Sequence, residues 1–404
     1  MSEREFAIEV VRTLQQAGYR ALWAGGCVRD ELLGLTPHDF DVATDARPEQ
    51  VMKLFRRSVA VGAAFGVIEV IGPRGPHHQH LTVEVATFRS DGAYLDGRRP
   101  NSVTFSSPEE DAQRRDFTIN GMFFDPLAGQ LHDFVGGQAD LQARVLRAIG
   151  DPIARLTEDK LRVLRAVRIA ARFDLTIDPA TLEAARRIAP QITVVSAERI
   201  AEELRKLLAH PNRSRGVRLL AECGLTPVIF PELPAAPSIV LDHLEPYASF
   251  PLAFAAFLQG MDKRGAEAIA DRLKLSTAEK TGLAWLVRNR EALADAPTLR
   301  LSVLKPILAH PGIGELLALH RAIARAGSRV TDHVEFCERM LRDTPPEELD
   351  PPPLVSGDDL ITAGLAPGRD FKRLLVAVRD AQLEGQVRSK EDGLKLVAEI
   401  RSQG

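Results

Sequence analysis

Strand signals almost vanish from about residue 138 onward, and that break constrains the fold more than any other feature of the sequence. Before it, helical and strand patterns mix. Residues 3–17 show the spacing of an amphipathic helix, ALWAGG reads as a short buried strand ending in glycines, and CVRDELLGL as a helix stopped by a Gly-Leu-Thr-Pro turn. HDFDVAT alternates as a strand does, and ARPEQVMKLFR carries proline in a helical first turn. GVIEVIG and HLTVEVATFR form a strand pair about the GPRGPHHQ turn. After the break, LTEDKLRVLRAVRIAARF, ATLEAARRIAP and AERIAEELRKLLA all repeat at helical spacing. The pattern predicts an α+β protein, with a mixed-sheet head over residues 1–137 and an elongated all-α extension. That extension divides into a neck over 138–230 and a body and tail over 231–404, with proline-rich stretches near 231–237 and 345–353 as boundaries. Residues 91–113, polar and rich in Gly, Pro and Ser, form a loop long enough to be functional.

Composition narrows the class without deciding it. At 404 residues, 45% hydrophobic and 26% charged, the chain predicts an ordinary folded protein of several domains rather than a disordered one. No apolar run reaches membrane-spanning length, and MSEREFAIEVVRTLQ is an acidic amphipathic helix rather than a signal peptide. Three scattered cysteines, Cys27, Cys223 and Cys337, offer neither a disulfide framework nor metal-ligand spacing, so a cytoplasmic location is expected. A net charge of −3 counts mildly against a polyanionic partner, but the arginines are clumped at 98–99, 114–115 and 155–172.

The strongest local signal is Gly25-Gly26-Cys27-Val28-Arg29-Asp30, followed by Asp39-Phe40-Asp41. On a strand Asp39 and Asp41 share a face while Phe40 and Val42 turn to the core. Two such carboxylates repel unless a cation lies between them, and Mg²⁺ prefers carboxylate oxygens together with substrate phosphates. In two-metal phosphoryl transfer a third carboxylate is common, and Glu84 in LTVEVATF lies on the polar face of its strand. Asp-x-Asp by itself equally ends many exposed strands. Gly25 and Gly26, placed just before a helix, let backbone N–H groups approach a triphosphate. Arg29 then serves as a phosphate ligand or as a partner for Asp30 or a catalytic carboxylate.

GGCVRD and HDFDVATDARPEQV together resemble the nucleotide-binding signature of the class II tRNA nucleotidyltransferases and bacterial poly(A) polymerases, within the polymerase-β-like superfamily. Four further stretches are similar to family motifs in the same order: VEVATFRSDGAYLDGRRPNSVTF, RRDFTING, EDKLRVLRAVRIAARF and SAERIAEEL. The resemblance covers residues 21–205 and implies a polymerase-β-like head. It implies Asp39 and Asp41 as Mg²⁺ ligands with Glu84 as third carboxylate, Arg115 on the nucleotide, and Asp116 selecting the ribose; by their own chemistry Asp116 and Asn120 both offer acceptors suited to a ribose 2′-OH. Arg165 and Arg168 are implied as further nucleotide contacts, and the stretch at 91–113 as a flexible loop that helps switch specificity from C to A. Gly121 stands where the family usually has alanine, a change expected to loosen the local backbone.

Asp159 and Arg162, at i and i+3 of a helical pattern, lie side by side. Cytosine and adenine each present an amino donor beside a ring-nitrogen acceptor, so a carboxylate next to a guanidinium pairs with either and mismatches uracil or guanine. The same spacing also makes ordinary surface ion pairs. Ser196 is placed to cap the AERIAEEL helix, whose Glu198, Arg199 and Glu202 are expected to brace the base-reading helix. His77-His78-Gln79-His80 reads as a solvated turn, and in Gly357-Asp358-Asp359 the preceding Ser356 or Asp358 caps a helix. The expected activity is addition of CCA, or its terminal A, to the 3′ end of tRNA from CTP and ATP with Mg²⁺. An A-adding enzyme and a poly(A) polymerase share the motifs. A small-molecule nucleotidyltransferase and a non-catalytic RNA-binding relative fit the helical extension and the intact acidic groups less well.

Overall fold

The computed structural model describes residues 1–62, 66–75, 78–92, 102–234 and 238–402. The chain divides into two compact units, Met1–Ala235 and Ala236–Gly404. Unit one begins with α1 (Glu3–Gln16), started by a capping box between Ser2 and Glu5, which buries Phe6, Val10 and Leu14. β1 (Ala21–Ala24) is buried at every position and leads through Gly25 (φ 76°) into α2 (Gly26–Leu32). β2 (Asp41–Thr44) and α3 (Pro48–Leu54) follow, then β3 (Ser58–Gly62), β4 (Val67–Arg74) and β5 (His80–Thr87). Leu81, Val83 and Val85 of β5 are buried while Thr82 and Glu84 are exposed, the alternation its sequence predicts. β6 (Arg89–Asp91) pairs with β7 (Val103–Phe105), α4 (Pro108–Gln113) comes next, and β8 (Phe123–Asp125) and β9 (Gln130–His132) close the strand run.

Seven strands form one mixed sheet in the order β3-β4-β5-β2-β1-β8-β9. Only the β2–β5 pairing within it is parallel, and its register sets Asp41 opposite Glu84. β1, central and apolar, supplies Trp23 to the core, where it packs on Phe40 and Phe124. The centre of the sheet therefore carries both acidic positions on a rigid support.

Beyond the sheet come α5 (Gly137–Gln142), α6 (Pro152–Glu158), α7 (Leu161–Arg172), α8 (Pro179–Ile188), α9 (Ala197–Leu208) and α10 (Arg213–Glu222). Strand is nearly absent here, reduced to the two-residue parallel pair Val145–Leu146 and Thr176–Ile177. Gly216 on α10 lets that helix close on α9, since a Cβ there would stand 2.3 Å from Leu207 Cδ1. Ser196 occupies the N-cap of α9, though its side chain makes no cap hydrogen bond.

Unit two is helical throughout its described residues. Its last helices, Gly357–Thr362, Arg369–Leu383 and Lys390–Ser402, share a core of Val355, Leu360, Leu374, Val378 and Val397. Ser356 and Asp359 make a capping box at the first of them, so the Asp-Asp pair there is helix-start chemistry. Cys27, Cys223 and Cys337 are free and buried. No described helix is long and apolar enough to cross a membrane. Residues 93–101 of the expected loop, His77, and 235–237 of a proline-rich boundary lie outside the described residues.

Candidate active site

Gly25, Gly26, Arg29, Asp39, Asp41, Arg115, Asp116, Asn120, Asp159, Arg162, Arg165 and Arg168, all candidate metal or nucleotide ligands from the sequence, line one cavity of about 550 Å³ in unit one, and Glu84 does not. Arg29, Arg114, Arg115, Arg162, Arg165, Arg168 and Arg199 line it against Asp39, Asp41, Asp116 and Asp159, an excess of 7 − 4 = 3 positive charges. Gly25 and Gly26 give it a backbone edge, and Leu161 and Ile169 of α7 its apolar patch. Such a wall suits a polyanion with one planar apolar part.

Asp41 opens β2, but Asp39 precedes the strand rather than lying on it. Their shared cavity thus comes from the turn into β2, where Phe40 is buried, and not from strand alternation. Burial, then the charge of Glu84, pushes the Asp41 carboxyl up to about 6; Asp39 adds to the rise and Arg115 opposes it. Glu84 does not line the cavity, yet it stands in register beside Asp41 and acts on it electrostatically. Among the described residues no three His, Cys, Asp or Glu side chains form a ready metal cage. The donor chemistry fits a hard cation that takes one or two carboxylates and completes its shell from substrate phosphates and water.

Arg29 is not an open phosphate ligand. It is buried in the last turn of α2, bonds Asp30 through Nε and Nη2, donates to Asn120 Oδ1, and lies 4.1 Å over the Phe173 ring. Asn120 in turn donates to Asp116 Oδ1, whose other oxygen receives Arg165 at 2.6 Å. Burial opposes the Asp116 charge, but Arg165 and the Asn120 amide outweigh it and hold the carboxyl well below the usual range. Arg114 and Arg115 both bond the buried Asp111, an acid the sequence reading passed over. Its i, i+3 and i, i+4 spacing to the two arginines was the available signal.

Asp159 and Arg162 do not share a helix. Asp159 ends α6 in an extended conformation (φ −140°, ψ 106°) and its Oδ1 accepts from the Leu161 amide. Its carboxylate pairs with Arg199 of α9 at 2.7 Å, while Arg162 pairs with Glu158 at 2.5 Å. They are therefore neither each other's ion pair nor on the surface, as Arg162 is only 9% exposed. Arg199 is the brace expected from α9. The second brace is Glu203, buried against Arg168 at 2.6 Å, whereas Glu202 pairs with Lys206 on the exposed face. Gly121 does not loosen its segment either: a Cβ there would stand 2.7 Å from Val135 Cγ2 and 3.0 Å from Ile149 Cδ1. Larger neighbours fill the space an alanine methyl would take.

Residues 21–147 match the poly A polymerase head domain family, and residues 174–236 match the probable RNA and SrmB-binding site of polymerase A. A CCA-adding enzyme of Geobacillus thermodenitrificans (strain NG80-2) is 43% identical over 223 residues, covering 54% of this chain and 53% of the relative. Poly(A) polymerase I of Haemophilus influenzae is 37% identical over 251 residues, 58% of this chain and 54% of the relative. These matches span about half the length of the curated relatives. The crystal structure of the Bacillus stearothermophilus CCA-adding enzyme in complex with CTP superposes with a TM-score of 0.80 at 28% identity, covering 100% of this chain and 99% of that one. Motif order, sheet topology and these matches agree in the likeness of residues 21–236 to the class II tRNA nucleotidyltransferases and bacterial poly(A) polymerases.

Proposed function

We propose that the chain adds C and A nucleotides, CCA or its terminal A, to the 3′ end of tRNA, from CTP and ATP with Mg²⁺ and without a nucleic-acid template, in the cytoplasm. The observation that carries this reading is the one cavity in which Asp39 and Asp41, Asp159 and Arg162 meet six further arginines. Triphosphate charge calls for the arginines, and a base without a template strand calls for fixed polar groups at its edge.

Asp39 and Asp41 would hold Mg²⁺, which supplies charge neutralisation and a more acidic attacking hydroxyl when bound. The protein's own groups do the rest. Arg115 and its arginine neighbours take the phosphates, Asp116 and Asn120 face the ribose, and Asp159 with Arg162 reads the base edge. The tRNA 3′-oxygen bonds to the α-phosphorus as the bond to the bridging oxygen breaks and pyrophosphate leaves. Arg199 and Glu158 fix the two base readers separately, so neither needs the other to hold its orientation. The cavity's relative with bound CTP supports this use of the fold.

The test supplies three tRNA transcripts, ending before the tail, after one C and after both Cs, each with Mg²⁺ and one labelled nucleotide. C on the first two and one A on the third establish full CCA addition. Label from ATP alone on the CC-ended transcript means an A-adding enzyme, and long A tails mean a poly(A) polymerase. No incorporation on any transcript overturns the reading.

A further inference from the structure

Asp111 is 1% exposed, on the short helix α4. Its Oδ1 accepts from Arg114 Nε at 2.9 Å and Nη2 at 2.7 Å, and from the Arg89 amide at 3.2 Å. Its Oδ2 accepts from Arg115 Nε at 3.1 Å and Nη2 at 3.0 Å. A carboxylate has about four lone-pair sites, so this one is filled. A two-point bond fixes the plane and the rotation of a guanidinium, which a single bond leaves free.

For Arg115 that leaves one direction. One edge is tied to Asp111, and the Phe123 ring lies 4.9 Å from the guanidinium carbon. The remaining Nη1 stands 3.0 Å from the point a Cβ on Gly25 would occupy, and Asp41 Oδ2 lies 4.0 Å from the same point. Its hydrogen bond to the Asn120 carbonyl is long, at 3.5 Å. The one guanidinium nitrogen of Arg115 that does not bond Asp111 thus faces the Gly25–Asp41 lip of the cavity.

We infer that Asp111 is a positioning residue that aims Arg115 Nη1 at the phosphates of the incoming nucleotide. This rests on the reading of the cavity as a nucleoside triphosphate site and names the residue that orders its phosphate end. Asp111 touches no substrate. Without its carboxylate Arg115 keeps its charge but loses its direction, so the loss falls on ligands with a full phosphate chain and spares those without one.

The experiment titrates CMP and CTP by calorimetry into the full chain as wild type, Asp111→Asn, Arg115→Lys and the double variant, with Mg²⁺ throughout. Asp111→Asn is expected to weaken CTP about tenfold or more and CMP by less than about twofold, the scale of a lost charge-assisted bond. KM for CTP on tRNA is expected to rise in proportion while kcat stays close to wild type. The double variant is expected to be no worse than Arg115→Lys alone, because both changes remove one interaction. Equal losses for CMP and CTP, or a double variant that loses the sum, overturn the inference. If Asp111→Asn does not fold, Arg115→Lys decides it: the lysine keeps the charge without the fork, so an unchanged CTP affinity overturns the inference and a tenfold loss confined to CTP supports it. A wild type that binds CTP no tighter than CMP overturns the triphosphate reading itself.

Discussion

Asp116 has four donors on its two oxygens: the Phe117 amide at 2.8 Å and Asn120 Nδ2 at 3.1 Å on one, Arg165 Nε at 2.9 Å and Nη2 at 2.6 Å on the other. A ribose hydroxyl can bond there only if Arg165 yields part of its hold, and with 37% of its side chain exposed Arg165 has room to move. The pair also carries stability. Asp116→Asn is expected to cost about 1–3 kcal/mol, the lower part of the range for a broken buried pair because Arg165 regains water. The folded carboxyl lies below its usual value, so the contribution is whole above about pH 4 and fades as pH falls through that value toward the folded one. Urea unfolding followed at Trp23 in a Trp285→Phe background should show a constant gap between the two proteins from pH 5 to 8 that closes below about pH 4. A gap that widens in acid would contradict the assignment. At Gly121 a methyl would overlap Val135 and Ile149, so Gly121→Ala should destabilise by about 1–3 kcal/mol, and Val135→Ala in the same chain should recover most of it. A neutral Gly121→Ala in thermal unfolding would show that the segment yields. The identities of such residues were readable in the sequence, but their partners were not. Asp111 and Glu203 are each one acid among several at helical spacing, and only tertiary packing shows which is buried against an arginine.

The order of elements in unit one was legible because its punctuation is strong: glycines after β1, proline opening α3, and clean alternation in β5. Two places were not. Asp39 lies ahead of β2 rather than on it, although its Asp-x-Asp alternation reads as strand, and Asp159 sits in a break between α6 and α7 that neither glycine nor proline marks. An uninterrupted run of good helix formers hides a single extended residue, since one pair of dihedrals leaves almost no trace in periodicity. That break matters to the site, because it turns the Asp159 carboxylate toward Arg199 on α9 instead of along α7. If α9 holds the base reader in place, Arg199→Ala should lower the preference for CTP over UTP, measured as a ratio of kcat/KM, by about tenfold, the scale of one lost charge-assisted bond. An unchanged preference would mean that the Leu161 amide bond alone orients Asp159.

The sequence motifs at 21–205 and the cavity all fall within the first compact unit, which ends at Ala235. The second unit offers only helical periodicity and caps in its sequence, which establish that helices form but not which surface they present. Its helix Arg369–Leu383 has both an apolar core stripe and basic residues, a pattern shared by many helices that touch no RNA. Unit one has its own sheet, its own helical layer and every cavity residue. A fragment of residues 1–235 is therefore expected to fold and to bind CTP and ATP with the affinity of the full chain. Incorporation into tRNA at limiting tRNA should fall by about a hundredfold or more if the second unit supplies a linked binding surface, since linked contacts multiply affinity on that scale. Nucleotide calorimetry and single-nucleotide incorporation on the same fragment separate the two contributions. Lost CTP binding in a folded fragment would place part of the nucleotide site beyond residue 235, and undiminished incorporation would leave the second unit without a role in holding tRNA.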